Sequence, residues 1–184
     1  MKKLLFIPLL ALFAFGCNSK SDNTAGTSSD STKITSSTSA EIIYPYTLAE
    51  PYKNWQADDQ KNAVTVMKML KAWETKNLTE CAGYFADSVD MRLDGYRKKL
   101  PHDSIPALLD MSWANYTSVS IKMEDWEPVI SSDKKDQWVT LWYKQNWVDK
   151  KGKADSMEMI NDAKMVNGKI VVFDEHIQHY PAKK

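Results

Sequence analysis

From Ala57 to Lys76 the apolar positions Ala63, Val66, Met67, Leu70 and Trp73 recur at spacings of three and four. That is the period of a helix with one buried face, and Asp58 or Asp59 stands where its cap belongs. Asn77 breaks the pattern, and Leu78 to Phe85 reads as a second, shorter helix carrying Cys81 as a buried thiol. The period then changes. Val89, Met91 and Leu93 alternate with Asp90, Arg92 and Asp94, which predicts a half-buried strand over Ser88 to Asp94, turned by Gly95 into a short return strand, Tyr96 to Leu100. A third helix is expected from Ile105 to Tyr116, with Asp103 as cap, Pro106 in the first turn, and Leu108, Leu109, Met111 and Trp113 facing inward. Long strands follow at Thr117 to Ile130, Gln137 to Asp149 and Lys153 to Val166, and the last runs from Lys169 to His179. Asn167-Gly168 joins the final pair, because a type I′ turn needs positive φ at both central residues.

Helices followed by a run of strands predict an α+β domain, with the helices on one face of a sheet. On the last strand, simple alternation puts Ile170, Val172, Asp174 and His176 on one face and Val171, Phe173, Glu175 and Ile177 on the other. Both faces are apolar near the turn, so one is expected to cover the helices and the other to be buried in a dimer. Trp138 and Trp142 share a face of their strand and suit such an interface. By the same alternation Glu175 and His179 belong to the outer surface.

The order of elements, with FADSVDMRLDG after the second helix, an aromatic-rich meander, and an NGKI turn preceded by Asp162, resembles the SnoaL-like branch of the nuclear-transport-factor-2-like superfamily. The resemblance spans Trp55 to Pro181. It implies a cone: a strongly curved antiparallel sheet wrapped around about three helices, with a pocket opening between them. Many members pair through the outer face of the sheet, so a homodimer is implied too. The superfamily includes ketosteroid isomerases, and Asp94 is the nearest counterpart to their Asp base. The chain departs from that pattern at Gly95, where a Pro is usual, and in having no Tyr in its first helix.

The N-terminus has a different character. Lys2 and Lys3 precede an apolar run from Leu4 to Phe15, and the run ends in Gly16-Cys17. This reads as a signal peptide over 1–16, and Ala14-Phe15-Gly16-Cys17 resembles a bacterial lipobox. The resemblance implies acylation of Cys17 and a lipid bilayer as partner. With Asn18 after it, the expected location is the cell envelope, at the outer membrane. Residues 17–40 are nearly all small and polar and read as a tether. Residues 41–55 carry Tyr44, Tyr46, Tyr52 and Trp55 between Pro45 and Pro51, and read as an extended arm that packs on the domain at 56–181 or recruits a partner.

Charge narrows the function. The 184 residues hold 24 basic and 24 acidic side chains, which argues against a nucleic-acid partner. Seven Trp and eight Tyr indicate a thick aromatic core or a ring-lined cavity. Trp113, Met123, Trp126, Trp147, Met157 and Met159 are candidates to line a site for a small hydrophobic ligand. His176 and His179 are three apart on a strand and so point to opposite faces, which leaves no metal site to expect. No phosphate loop, nucleophile elbow or Cys/His cluster occurs. Catalysis would therefore be cofactor-free acid/base work, with Asp162 holding His176 as general base inside the cone and Asp94 as a further candidate. The plainer reading of Asp162 is a fold signature, and of His176 a satisfied core residue. Three functions follow: a tethered protein that binds a small hydrophobic molecule, an acid/base isomerase, cyclase or hydrolyase, or a structural module that dimerises or recruits a partner.

Overall fold

Asp59 caps the first helix, α1 (Gln60–Glu74), its carboxylate accepting from the Lys61 N–H at 3.0 Å. A computed structural model describes residues 43–178. The signal peptide, Cys17, the tether and His179 lie outside the described residues. All elements below belong to the unit Tyr44–Lys184; of the unit Met1–Ile43, only Ile43 is described. Asn77 caps the short α2 (Leu78–Ala82), which ends at Gly83, and the chain turns at once into strand β2 (Phe85–Leu93). Phe85 thus belongs to a strand and not to the helix expected to contain it. Its return strand is β3 (Tyr96–Pro101), followed by a single 3₁₀ turn and α3 (Ile105–Trp113). That turn takes up Asp103, so α3 starts without a side-chain cap.

Four long strands complete the domain: β4 (Tyr116–Ile130), β5 (Gln137–Asp149), β6 (Ala154–Val166) and β7 (Lys169–Ile177). A two-residue strand, β1 (Gln56–Ala57), pairs with the end of β4. The sheet order is β1-β4-β5-β6-β7-β2-β3. Every neighbouring pair is antiparallel except β2 with β7, which run parallel, so the sheet is mixed where the sequence suggested it would be wholly antiparallel. The reason is topological: β2 is made early in the chain and is met by the last strand, and nothing local sets their relative direction.

The curved sheet closes over the helices, and the core fills the space between. Val66, Met69 and Leu70 of α1, Val89 and Met91 of β2, and Leu141 and Tyr143 of β5 are all buried in it. Two polar contacts fix the C-terminal end of α1. Glu74 accepts from the Ile121 N–H of β4 at 3.1 Å, and the Trp113 indole N–H donates to the Trp73 carbonyl at 2.7 Å. On α3, Ile105, Leu109 and Trp113 face inward, but Met111 is 67 % exposed, because it stands on the opposite side of the helix from Leu109 and Trp113. Cys81 is fully buried and its thiol is pushed up to about 12 by burial first, so it is an inert thiol.

The hairpin of β6 and β7 turns at Asn167 (φ 50°) and Gly168 (φ 73°), both in the left-handed region that a type I′ turn demands. Just beyond it the register slips: Met165 faces Ile170, but Lys164 faces Val172. Val171 is therefore an extra residue in β7, a β-bulge. Ile170 is fully buried and Phe173 is 6 % exposed, so two residues three apart both point inward. From Phe173 onward the faces of β7 are the reverse of those that uninterrupted alternation would give.

Candidate functional site

Between α1, α3 and the concave face of the sheet lies a cavity of about 250 Å³. It exceeds the about 150 Å³ that accommodates a benzene and falls just below the roughly 300–1,000 Å³ usual for ligand pockets. Met69, Leu70 and Trp73 of α1 and Leu108, Leu109 and Ser112 of α3 form one side. Phe85, Met91 and Leu93 of β2, Met157 and Met159 of β6, and Phe173 and Ile177 of β7 form the rest of its apolar wall.

The polar part of the wall is short and ordered. Tyr143 and Gln145 of β5, Asn161 of β6 and Glu175 of β7 all face the cavity, and Asn161 and Glu175 occupy directly paired positions on adjacent strands. Asn161 is 1 % exposed, and its side-chain amide donates to the Tyr143 hydroxyl at 3.1 Å. Its Oδ1 has no hydrogen-bond partner among the described residues. Such an orphaned buried acceptor is uncommon, because it costs about 1–3 kcal/mol. Ser112 is satisfied, accepting from the Trp73 indole at 3.0 Å and donating to the Leu109 carbonyl at 2.7 Å.

Glu175 is the only carboxyl in the lining among the described residues, and no Lys, Arg or His accompanies it there. Burial among apolar side chains raises its pKa from 4.5 to about 7, and the charge of Asp94 adds to the rise. A hydrogen bond from the Asp94 backbone N–H works the other way. The phenols of Tyr143 and Tyr116 are pushed up by burial first and by the Glu175 charge second. Near neutral pH the cavity thus holds a carboxyl poised between its two states, in reach of neutral polar groups.

No protein-family model matches the sequence, and no curated protein does. Solved structures do match by shape. A protein of unknown function from Burkholderia pseudomallei, described as NTF2-like, superposes with a TM-score of 0.54 at 16 % identity, over 64 % of this chain and 91 % of that one. An NTF2-like protein of unknown function from Exiguobacterium gives 0.53 at 14 % identity, over 63 % and 99 %. An LEH-like epoxide hydrolase from Mycobacterium tuberculosis gives 0.51 at 11 % identity, over 65 % and 84 %. This domain has the nuclear-transport-factor-2-like fold.

Within that nuclear-transport-factor-2-like cone the residues singled out from the sequence scatter. Met157 and Met159 line the cavity. Trp113 is buried behind the lining, packed edge-on against Tyr116, and Met123 is half-buried against the core. Trp147 stacks at a tilt on Tyr116, 5.9 Å between ring centres, and Trp126 is 43 % exposed with its indole donating to Gln60. Asp162 and His176 do approach each other, Oδ2 to Nε2 at 3.5 Å, but on the convex face of the sheet, where His176 is more than half exposed. They share that face with Asp174, 3.7 Å from His176, which is held by Arg92 at 2.8 Å; Arg92 also holds Asp90. The bulge at Val171 is the physical cause: it turns Asp174 and His176 outward and Glu175 inward. Asp94 follows β2 and sits beside Glu175, where its charge and its N–H both act on that carboxyl.

Tyr143, Asn161 and Glu175 escaped the sequence reading, although one signal for them was present. Met157, Met159 and Asn161 have the same parity on β6, and Asp162 has the other. A cavity lined by the two methionines therefore includes Asn161 and excludes Asp162. The cross-strand partner of Asn161 is then the residue of β7 that faces inward, which is Glu175.

Proposed function

We propose that the cone binds a small hydrophobic molecule carrying one polar group, and that the chain is an envelope lipoprotein tethered through an acylated Cys17. The observation that carries the binding reading is the cavity itself: an apolar, ring-lined chamber of about 250 Å³ with its few polar groups gathered on three neighbouring strands. Convergent polar groups in an otherwise apolar wall fix the orientation of a bound molecule, whereas a space that serves only packing needs none. The tether reading rests on the sequence at Ala14-Phe15-Gly16-Cys17 and on the polar stretch behind it.

A second reading follows from Glu175. A carboxyl at about 7 inside a largely apolar cavity has the proton affinity of a general base, and the neighbouring Tyr143 hydroxyl can donate to an oxygen of the substrate. Acid/base chemistry, if this domain performs it, passes through Glu175 and not through the convex pair Asp162 and His176. Native mass spectrometry of the full chain isolated from its own host tests the binding reading. A retained small molecule, released on denaturation, is the expected result; a ligand-free protein from every host and growth condition would count against it.

A further inference from the structure

The polar end of the cavity brings together Tyr143, Gln145, Asn161 and Glu175, and two acceptors stand out in it. Asn161 Oδ1 is buried and without a partner among the described residues, and the paired position on the next strand is the Glu175 carboxyl. That carboxyl is served by the backbone N–H of Asp94, and no cationic side chain lines the cavity with it. Around these acceptors stand the rings of Trp73, Tyr116, Tyr143 and Phe173. Two acceptors, one of them ionisable, inside a chamber of aromatic rings are matched by a compact cation that brings its own N–H donors. Such a group pairs with the carboxylate, donates to the orphaned amide oxygen, and is attracted by ring faces. An alcohol supplies a single donor and no charge, and a carboxylate would meet Glu175 with like charge.

Resting on the reading that the cavity holds a small hydrophobic molecule, we infer that this molecule is a lipophilic amine, its protonated nitrogen between Glu175 and Asn161 and its body against Met69, Leu108, Met157 and Met159. Binding is then coupled to proton release. Free Glu175 keeps its proton up to about pH 7, and an ammonium group favours the carboxylate. Affinity for the amine therefore climbs as pH rises through about 7 and levels off above it. The other titratable groups that face Glu175 are Tyr116 from β4, Tyr143 from β5 and Asp94 from the turn after β2; α1, α3 and β6 present none to the cavity. Both phenols are raised above their ordinary range and stay neutral throughout.

The test is isothermal titration calorimetry of the full chain with 2-phenylethylamine, 2-phenylethanol, phenylacetate and ethylbenzene, with protein-free buffer as blank. The amine is expected to bind about tenfold or more tighter than the alcohol above pH 7. Glu175→Gln is expected to abolish that preference while still binding ethylbenzene, which shows that the variant is folded. Equal binding of amine, alcohol and ethylbenzene overturns the inference and leaves the apolar-cavity reading intact; so does a preference for phenylacetate, or an amine preference that survives Glu175→Gln. Binding of none of the four overturns both readings. Should the variant fail to fold, the wild type decides: an amine affinity that does not rise as pH passes through about 7 excludes pairing with Glu175.

Discussion

An ionised Glu175 sits among Met159, Phe173 and Tyr143 with no cation in the wall, so folding opposes its ionisation. Its pKa in the folded state, about 7, lies above the 4.5 of the unfolded chain. Below pH 4.5 both states hold the proton and the group costs nothing. Between the two values the unfolded state has lost its proton and the folded state has not, so stability falls as pH rises. The loss amounts to something on the order of 3 kcal/mol once pH exceeds about 7. Glu175→Gln keeps the shape and removes the titration. The expected result is a urea midpoint for the wild type that falls relative to the variant across this window; parallel profiles would show that the carboxyl is solvated. The convex face offers the opposite case. Asp90 is held below the usual carboxylate range by its hydrogen bond from Arg92, so its contribution is present at neutral pH and is lost on acidification.

Among the elements, the β6–β7 hairpin makes the most specific demands. Its turn needs positive φ at Asn167 and Gly168, and Gly168 has free space where a side chain would stand. Gly168→Val is thus resisted by backbone strain and not by collision. A loss of about 1–2 kcal/mol is expected in equilibrium unfolding, and an unchanged stability would show that the turn relaxes to another type. This turn and the two long helices were legible in the sequence because their signals are local: Asn-Gly, and apolar spacing of three and four. The sheet pairings beyond the meander were not. Nothing in Ser88 to Leu93 announces a parallel partner at the far end of the chain, and two residues at Gln56 and Ala57 are too few to show a period. The bulge left no trace either, since Ile170, Val171, Val172 and Phe173 form an unbroken apolar run in which no polar residue marks the change of face. That silence moved the site reading from Glu175 to His176.

For the whole molecule, the two faces of the sheet divide the labour. The concave face makes the cavity, and the convex face carries Trp138 and Trp142 on β5, opposite Lys164 and Ile160 on β6. Ile160 is 39 % exposed and Trp142 half-buried, an apolar strip bordered by the Asp162, Asp174 and Arg92 ladder. Self-association through this strip is expected, with Trp142→Asp giving a monomer where light scattering of the wild type gives a dimer; a monomeric wild type would remove that expectation. Among its described residues, the arm before α1 is anchored only near its end. The Tyr52 hydroxyl donates to Asp136 at 2.9 Å and its ring stacks on Trp55, whereas Tyr44 and Tyr46 are largely exposed. The proposed attachment to the membrane rests on Cys17. Membrane partitioning of the full chain is expected to be lost in Cys17→Ala, and a variant that still sediments with membranes would rule out acylation there as the anchor.

The extra residue in β7 has a consequence for how such a domain can change. The strand holds two messages, one spelled by Phe173, Glu175 and Ile177 and the other by Val172, Asp174 and His176, and the pairing of Phe173 with Ala163 and of Glu175 with Asn161 reads the first into the chamber. Substitutions alter one letter at a time. Loss of Val171 would remove the bulge and leave the ladder otherwise as it is, with Ile170 on Met165, Val172 on Lys164 and Phe173 on Ala163, so that Phe173, Glu175 and Ile177 would still face the chamber. Val171 is thus slack in the strand: one residue of length can be given up there without exchanging the interior of this cone, and only a further loss before Phe173 would bring Asp174 and His176 inside.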